Sequence, residues 1–125
     1  MLTNDALREV FEKTRGHCHF CGDPLRWRAY GANHIQLEKG AWVLDHVIQK
    51  GKGGPDSSDN YLPACSRCNS LRWHRKGKQL RELLVLGLVA KDEIKKGSGL
   101  GRTLRVMALR REMKNARRRR PLSPA

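Results

Sequence analysis

The sequence has few acidic residues, few aromatic residues and no long apolar segment. It carries 12 Asp and Glu against 26 Lys and Arg, and Phe, Trp and Tyr make up only 6% of it. A formal net charge of +14 in 125 residues favours a polyanionic partner such as nucleic acid, or an acidic membrane surface. The longest apolar run, from Leu83 to Ala90, is interrupted by Gly87 and is far too short to span a bilayer. These shortages favour a small basic domain.

The first residues of the sequence are mostly polar, and we expect no targeting signal there. Residues Met1 to Asp5 contain no apolar core of the kind that export signals have. We therefore expect a cytoplasmic protein, in a reducing compartment where paired cysteines bind metals more often than they form disulfides. A domain this small buries too little surface for a strong hydrophobic core. A metal that cross-links the chain would supply the missing stability.

Four cysteines form two CxxC pairs, Cys18 with Cys21 and Cys65 with Cys68. Two such pairs supply the four thiolates of a tetrahedral structural zinc site, which leaves no vacancy for substrate. The alternatives are an iron–sulfur cluster and a redox-active pair. A thioredoxin-like pair needs a single CxxC beside a βαβ unit, which this sequence lacks. The spacing thus favours structural Zn²⁺ that ties the N-terminal knuckle to a helix beginning near residue 65.

Hydrophobic periodicity and turn residues predict two helices and several short strands in the first part of the chain. Residues 4–15 are predicted to be helical, because Leu7, Val10 and Phe11 form one apolar stripe. Strand-like segments follow at 25–30, at 41–48 and from residue 59, with a glycine-rich loop at 51–55 and a helix at 65–76.

The rest of the chain is predicted to be helical and basic. Helices are expected at 79–88, 91–96 and 103–118, with a flexible segment at 97–101. Helical spacing suggests core packing for four leucines, Leu80, Leu83, Leu84 and Leu88, and a thin apolar stripe for Leu104, Met107, Ala108 and Met113. The basic block Arg117–Arg120 is expected to be disordered when unbound. We expect a core at 1–78 and a helical extension at 79–125, packed on it or beside it.

An adjacent carboxylate and imidazole, Asp45 and His46, stand inside the apolar run from Trp42 to Ile48. Successive strand residues face opposite sides, so one of these two side chains should point inward. Taken alone, the pair fits a satisfied core histidine beside a solvated aspartate equally well. Its context is more specific, because a glycine-rich loop, Asn60 and then the second CxxC with Asn69 directly behind it follow in order.

This ordered set resembles the HNH endonuclease family, in its zinc-containing CxxC…DH…N…CxxC(H/N) branch. The resemblance covers residues 16–75 and implies the ββα-metal fold. We therefore expect an α+β protein: a small ββα-metal domain with a four-cysteine zinc site, plus a helical C-terminal extension. The resemblance also implies an endonuclease that hydrolyses phosphodiester bonds of nucleic acid, expected to be double-stranded DNA, with a catalytic Mg²⁺ or Mn²⁺.

The resemblance assigns a role to each matching residue. His46 would be the general base, and an imidazole suits that role because it exchanges protons near neutral pH. Asn60 would hold the loop and the histidine in position. Asp45 and Asn69 would share ligation of the catalytic ion. Many members have His where this chain has Asn69, but an amide oxygen remains a suitable ligand for Mg²⁺ or Mn²⁺.

Basic side chains near this site are expected to contact phosphates without reading bases. The predicted nucleic-acid contacts are Lys50, Lys52, Arg72, His74 and Arg75. Trp73 is expected to belong to the core, and the sequence suggests no partner for His17, His19 or His34. The alternative to an enzyme is a non-catalytic, zinc-containing nucleic-acid-binding protein. The intact set Asp45, His46, Asn60 and Asn69 favours the enzyme, because a pure binding protein has no need of it.

Overall fold

The first helix, α1, spans Asn4–Glu12 and carries the predicted apolar face. The computed structural model describes residues 2–31, 39–73 and 77–114. Thr3 caps α1, its hydroxyl accepting from the Ala6 N–H at 3.1 Å, and Leu7, Val10 and Phe11 are buried. The helix ends before the predicted residue 15, because Arg15 and Gly16 adopt left-handed backbone (φ 53° and 73°) that turns the chain back.

A two-stranded hairpin followed by a helix forms the centre of the molecule. Strand β1 (Trp42–His46) pairs antiparallel with β2 (Tyr61–Cys65), with Trp42 opposite Cys65 and His46 opposite Tyr61. Helix α2 (Ser66–Trp73) begins directly after β2. This ββα order, with further helices before and after it, confirms the predicted α+β class. The four cysteine sulfurs come together near the start of α2.

The predicted strand at 25–30 is wrong. Trp27–Ala29 form a short 3₁₀ helix, and Tyr30 makes only an isolated bridge to Trp42. The physical reason is aromatic packing. The Trp27 ring lies 5.5 Å from Phe11 and 6.0 Å from Trp42, measured between ring centroids. Turning the chain here covers the core with aromatic surface, which outweighs the weak strand preference of the segment.

The core lies between α1, the hairpin and the first cysteine knuckle. It contains seven buried residues, Leu7, Phe11, Cys18, Leu25, Trp42, Ala64 and Cys65. Trp42 is fully buried, and its indole N–H donates to the Arg26 carbonyl at 3.0 Å. The cysteine knuckle is therefore part of the hydrophobic core.

The C-terminal region is a helical hairpin that differs from its prediction in three ways. A single helix, α3 (Gly77–Lys96), replaces the two predicted at 79–88 and 91–96, and Gly87 does not interrupt it. Helix α4 (Gly99–Lys114) begins within the segment predicted to be flexible. The predicted core role of the α3 leucines is also wrong, because Leu83, Leu84 and Leu88 are 46–60% exposed.

Helix α4 buries little of its own predicted stripe. Met107 and Met113 are exposed, and Gly101 is the buried residue of this helix. The reason is that α3 and α4 approach through Gly101, where an added Cβ would lie 2.0 Å from the Glu93 carbonyl oxygen. Contact at a glycine brings the two helix backbones close together and leaves the longer apolar side chains outside the contact between α3 and α4.

One arginine of α4 anchors the hairpin to the core. The Arg111 guanidinium donates to the Cys21 carbonyl at 2.7 Å and to Asp23 Oδ1 at 2.9 Å. The predicted boundary between 1–78 and 79–125 stays a prediction. Within the described ranges, no helix is long and apolar enough to cross a membrane. The predictions for His34, His74, Arg75 and Arg117–Arg120 fall outside the described residues.

Candidate functional site

The four cysteine sulfurs meet at the start of α2. All four Sγ atoms lie within 4.8 Å of one another, and those of Cys21 and Cys65 are 3.8 Å apart. Zinc–sulfur bonds of about 2.3 Å in a tetrahedron place neighbouring sulfurs about 3.8 Å apart. The Phe20 N–H donates to Cys18 Sγ at 3.4 Å, and the Cys68 N–H donates to Cys65 Sγ at 3.3 Å. The cluster therefore fits a zinc ion in size and in donor type.

The thiols of Cys18, Cys65 and Cys68 differ in pKa. Hydrogen bonds from Cys65 and Cys68 lower the pKa of the Cys18 thiol. The same contacts with Cys18 raise the pKa of Cys65 to about 11 and raise the pKa of Cys68. The Cys18 thiol thus loses its proton readily, whereas the thiols of Cys65 and Cys68 ionise only with a cation nearby, and a zinc ion bound to thiolates would supply that charge.

Asp45 is buried between the first cysteine knuckle and α2. Its Oδ2 accepts a hydrogen bond from the Arg72 guanidinium at 2.6 Å and lies 2.9 Å from His19 Nε2. Both the Asp45 and the His19 side chains are almost completely buried. The interpretation of Asp45 as a solvated residue is therefore wrong, because the carboxylate is enclosed and charge-compensated. His19 lies between Cys18 and Cys21, so the candidate zinc knuckle contacts Asp45 directly.

The second carboxylate oxygen, Asp45 Oδ1, is also buried, and none of the described residues hydrogen-bonds to it. Burying an unpaired polar atom is costly, and a hard cation is one group that satisfies a carboxylate oxygen. Asn69 precedes Arg72 by one helical turn, so it lies on the side of α2 that faces Asp45. These oxygen donors suit Mg²⁺ or Mn²⁺, although Arg72 already neutralises part of the Asp45 charge.

His46 points away from these groups, as strand alternation requires. Its Nε2 lies 2.8 Å from Asp56 Oδ1, and its ring packs edge-on against Tyr61 with centroids 4.8 Å apart. Asp56 also receives Lys50 Nζ at 3.1 Å and the Tyr61 hydroxyl at 3.3 Å. The side chains of Asp45 and His46 thus contact two different sets of neighbours on the two faces of β1.

Asn60 is fully buried and binds the loop that follows β1. Its side-chain oxygen accepts from the Ile48 N–H at 2.9 Å, and its amide donates to the carbonyls of Ile48 at 2.9 Å and Pro55 at 3.0 Å. Gly54 is packed under the same segment, because an added Cβ there would lie 1.8 Å from the Ile48 carbonyl oxygen. The path of residues 48–55 is therefore defined by one amide side chain and one glycine.

The residues predicted to contact nucleic acid differ in their surroundings. Lys50 is well exposed although paired with Asp56, and Lys52 is exposed on the same short 3₁₀ helix. The Arg72 guanidinium is mostly buried against Asp45 and stacks over the Trp73 ring at 4.5 Å. The predicted core position of Trp73 is wrong, because 43% of it is exposed. Its only described ring contact is with this cation.

Sequence reasoning missed two residues, His19 and Asp56. The sequence suggests no partner for His19, because four cysteines complete a zinc site without it. Asp56 follows Gly54 and Pro55 and has no predicted role. In the fold, each contacts one of the two predicted functional side chains of β1. The available signal was composition alone: a histidine inside a CxxC pair, and a carboxylate in the loop that follows His46.

Comparison with known families assigns the central part of the chain. Residues 18–75 match the model of a family described as HNH endonuclease. The matched segment contains both cysteine pairs, the β-hairpin and α2. Comparison with curated proteins and with solved structures found no match. The family match confirms the resemblance drawn from the cysteine pairs and the ordered polar residues between them.

Proposed function

Because residues 18–75 match the HNH endonuclease family model, we propose that this chain is a metal-dependent endonuclease. It hydrolyses phosphodiester bonds of nucleic acid, with double-stranded DNA as the substrate and with low sequence specificity. The observation that carries the proposal is that Asp45, His46, Asn60 and Asn69 all lie within the matched segment. Asp45 and His46 are the last two residues of β1. Asn60 directly precedes β2, and Asn69 lies in α2, which follows β2.

His46 acts as the general base in this proposal. Its imidazole takes a proton from a water molecule, the hydroxide oxygen bonds to phosphorus, and one ester P–O bond breaks. The departing oxygen receives a proton from solvent, so water and a phosphodiester yield a phosphomonoester and an alcohol. Asn60 keeps the loop after β1 in place, and a base that is held still is more effective than one that swings freely.

Asp45 and Asn69 would hold the catalytic Mg²⁺ or Mn²⁺. Asp45 Oδ1 is buried with no partner among the described residues, and Asn69 stands one helical turn before Arg72, which contacts Asp45; both observations support this ligand set. When bound, the ion would supply positive charge to the phosphate and to the departing oxygen. The role of the four cysteines is separate: they would hold a structural Zn²⁺ and fix where α2 begins.

A formal net charge of +14 supports a nucleic-acid substrate. Lys50, which shares Asp56 with His46, and Lys52, on the same short 3₁₀ helix, are both exposed and would contact phosphates. Arg72 would contribute from the Asp45 side, where a quarter of its side chain remains exposed. Contacts of this kind position the backbone of nucleic acid and carry no sequence information.

One observation favours a second function, a non-catalytic zinc-containing nucleic-acid-binding protein. The Arg72 guanidinium lies 2.6 Å from Asp45 Oδ2 and compensates the charge that a catalytic ion would neutralise. A protein that only binds would keep this ion pair permanently. It would bind nucleic acid with strong salt dependence and would not cleave it.

Cleavage of supercoiled plasmid separates the two functions. Zinc-loaded full-length protein is incubated with plasmid, linear duplex, single strands and RNA, with Mg²⁺ or Mn²⁺ added. We expect nicking or cutting of plasmid, and a loss of about 10²- to 10⁴-fold in His46→Ala, the range that general bases contribute. Zinc content and melting temperature confirm that the variant is folded. Binding without cleavage of any substrate would establish the second function instead.

A further inference from the structure

Asp56 is the charged partner of the proposed general base. It lies in the loop between the two strands, and its Oδ1 is 2.8 Å from His46 Nε2. Two further groups converge on the same carboxylate: Lys50 Nζ at 3.1 Å and the Tyr61 hydroxyl at 3.3 Å. Neither the family match nor the resemblance assigns a role to this residue.

The carboxylate determines which ring nitrogen of His46 carries hydrogen. Hydrogen bonds from His46 and Lys50 lower the pKa of Asp56 to about 2, so it is ionised at neutral pH. An ionised carboxylate only accepts hydrogen bonds, so Nε2 must be the donor in this contact. A neutral imidazole has one N–H, and the lone pair that can take a proton is therefore on Nδ1.

Asp56 is itself held by the residue that was predicted to position the histidine. The Asn60 amide donates to the carbonyl of Pro55, which directly precedes Asp56, at 3.0 Å. Gly54, one residue earlier, permits close packing against Ile48. Among the described contacts, the Asn60 side chain hydrogen-bonds to Ile48 and Pro55 and not to the His46 ring, whereas Asp56 contacts that ring directly. A path of contacts thus leads from Asn60 through Pro55 to Asp56 and then to His46.

We propose that Asp56 is a positioning residue for His46: its carboxylate binds Nε2–H and presents Nδ1 to the water that is deprotonated. This inference rests on the proposed endonuclease function. The Tyr61 ring limits movement of the imidazole from the side, and the carboxylate sets its rotation and its tautomer. Partners that orient metal-bound histidines change activity by about 10- to 100-fold when removed, and we expect the same range for a general base oriented in the same way.

The kinetic experiment compares Asp56→Ala and Asp56→Asn with Asp59→Asn in the full-length, zinc-loaded protein. Asp59 is exposed in the same loop and provides the matched loss of one negative charge. We expect kcat for plasmid nicking to fall about 10- to 100-fold in Asp56→Ala and less in Asp56→Asn, whose amide oxygen can still accept. KM should stay level or fall, because removing a negative charge favours DNA binding. Asp59→Asn should leave kcat unchanged.

A double variant tests whether Asp56 acts through the histidine. If it does, adding Asp56→Ala to His46→Ala produces no further loss of kcat. An additional loss in the double variant would overturn the proposal, as would an unchanged kcat in Asp56→Ala of normal zinc content. Equal losses in Asp56→Asn and Asp59→Asn would also overturn it, since they would indicate a general charge effect.

A spectroscopic arm keeps the result independent of activity. Two-bond ¹H–¹⁵N spectra report the tautomer of each histidine ring, and we expect His46 to carry its hydrogen on Nε2 in the parent chain. In Asp56→Ala this preference should weaken, and in Asp59→Asn it should persist. If the parent chain cleaves nothing, the endonuclease proposal fails and the positioning of a base fails with it. Cleavage together with an Nδ1–H tautomer of His46 would overturn the Asp56 proposal alone.

Discussion

At the scale of single residues, the buried side chains of Asn60 and Asp45 differ in how completely their polar atoms are hydrogen-bonded. Asn60 satisfies three backbone groups of the loop, and its burial therefore costs little. Asp45 is satisfied on Oδ2 alone, by Arg72 and His19, and its Oδ1 has no partner in the described part of the chain. A buried side chain whose polar atoms are all hydrogen-bonded, like that of Asn60, is typical of a structural residue. A buried carboxylate oxygen with no partner among the described residues, such as Asp45 Oδ1, is an atom that metal ligation would satisfy.

The acidity of Asp56 gives a prediction at this scale. Its pKa is lowered to about 2, first by His46 and then by Lys50, while the Tyr61 hydroxyl also donates to it. A lowered pKa means that ionised Asp56 stabilises the fold above its unfolded value of 3.8, and that this contribution is lost as pH falls towards 2. We expect the Asp56 carboxyl carbon to show almost no titration in NMR spectra between pH 8 and about pH 3.5, where a carboxyl with a pKa of 3.8 would already be more than half protonated.

The order of causes supplies the control for that measurement. In His46→Ala the Asp56 titration should move upward towards 3.8, and it should move less in Lys50→Ala, because the histidine is the larger cause. A parent chain in which Asp56 titrates near 3.8 would contradict the described contact between this carboxylate and His46.

At the scale of elements, the α3–α4 hairpin differs most from its sequence pattern. Eight successive residues of α3, from Leu83 to Ala90, are apolar except for the glycine among them, yet the structure buries none of this helix. The contact with α4 is made through Gly101 near the turn, and Ser98 supports that turn by accepting from the Gly101 N–H at 3.0 Å. Close backbone approach, and not leucine packing, joins these two helices.

Two glycines of the hairpin make a matched pair for testing this. Gly101→Ala places a Cβ 2.0 Å from the Glu93 carbonyl oxygen, whereas Gly87→Ala meets nothing within 4 Å. We expect Gly101→Ala to lower the free energy of unfolding by about 1–3 kcal/mol through overpacking. Gly87→Ala should raise it by about 1 kcal/mol through helix propensity. Urea denaturation followed by circular dichroism measures both, and equal effects of the two substitutions would contradict the described contact between α3 and α4.

At the scale of the whole molecule, the cysteine cluster links three parts of the chain. Cys18 and Cys65 belong to the core, α2 begins beside the cluster, and Arg111 of α4 donates to the Cys21 carbonyl. Through His19, the knuckle also reaches Asp45. A metal at this cluster would therefore position the core, the extension and one proposed ligand of the catalytic ion together.

Removal of zinc gives the prediction at this scale. Treatment with a chelator should abolish the near-ultraviolet circular dichroism of the buried Trp42 and lower the melting temperature by tens of degrees or unfold the core, because zinc binding supplies folding free energy in small domains. Added Zn²⁺ should restore both signals, whereas Mg²⁺ should not. Cys68→Ser should bind zinc more weakly. A chelated protein with an unchanged melting temperature would exclude a structural role for the cluster.

The sequence by itself predicted the cysteine cluster, the apolar face of α1, the ββα order and the resemblance of its central segment to the HNH endonuclease family. Each of these is a local pattern: two CxxC spacings, a helical stripe and an ordered set of polar residues around Asp45 and His46. The neighbours of Asp45 and His46 were decided only by the tertiary structure. His19–Asp45–Arg72 and Asp56–His46 join residues from separate segments, and strand alternation sends the two side chains to opposite faces.

Which side chains of the C-terminal helices are buried was likewise determined only by the tertiary structure. Helical periodicity shows that a stripe of leucines exists, but it does not show what the stripe meets. In the described chain the core is already closed by α1, the hairpin and the knuckle, and α3 lies outside it with Leu83, Leu84 and Leu88 exposed. Helical periodicity therefore predicted that this region is helical. The limited space in a small core determined which of its side chains are buried.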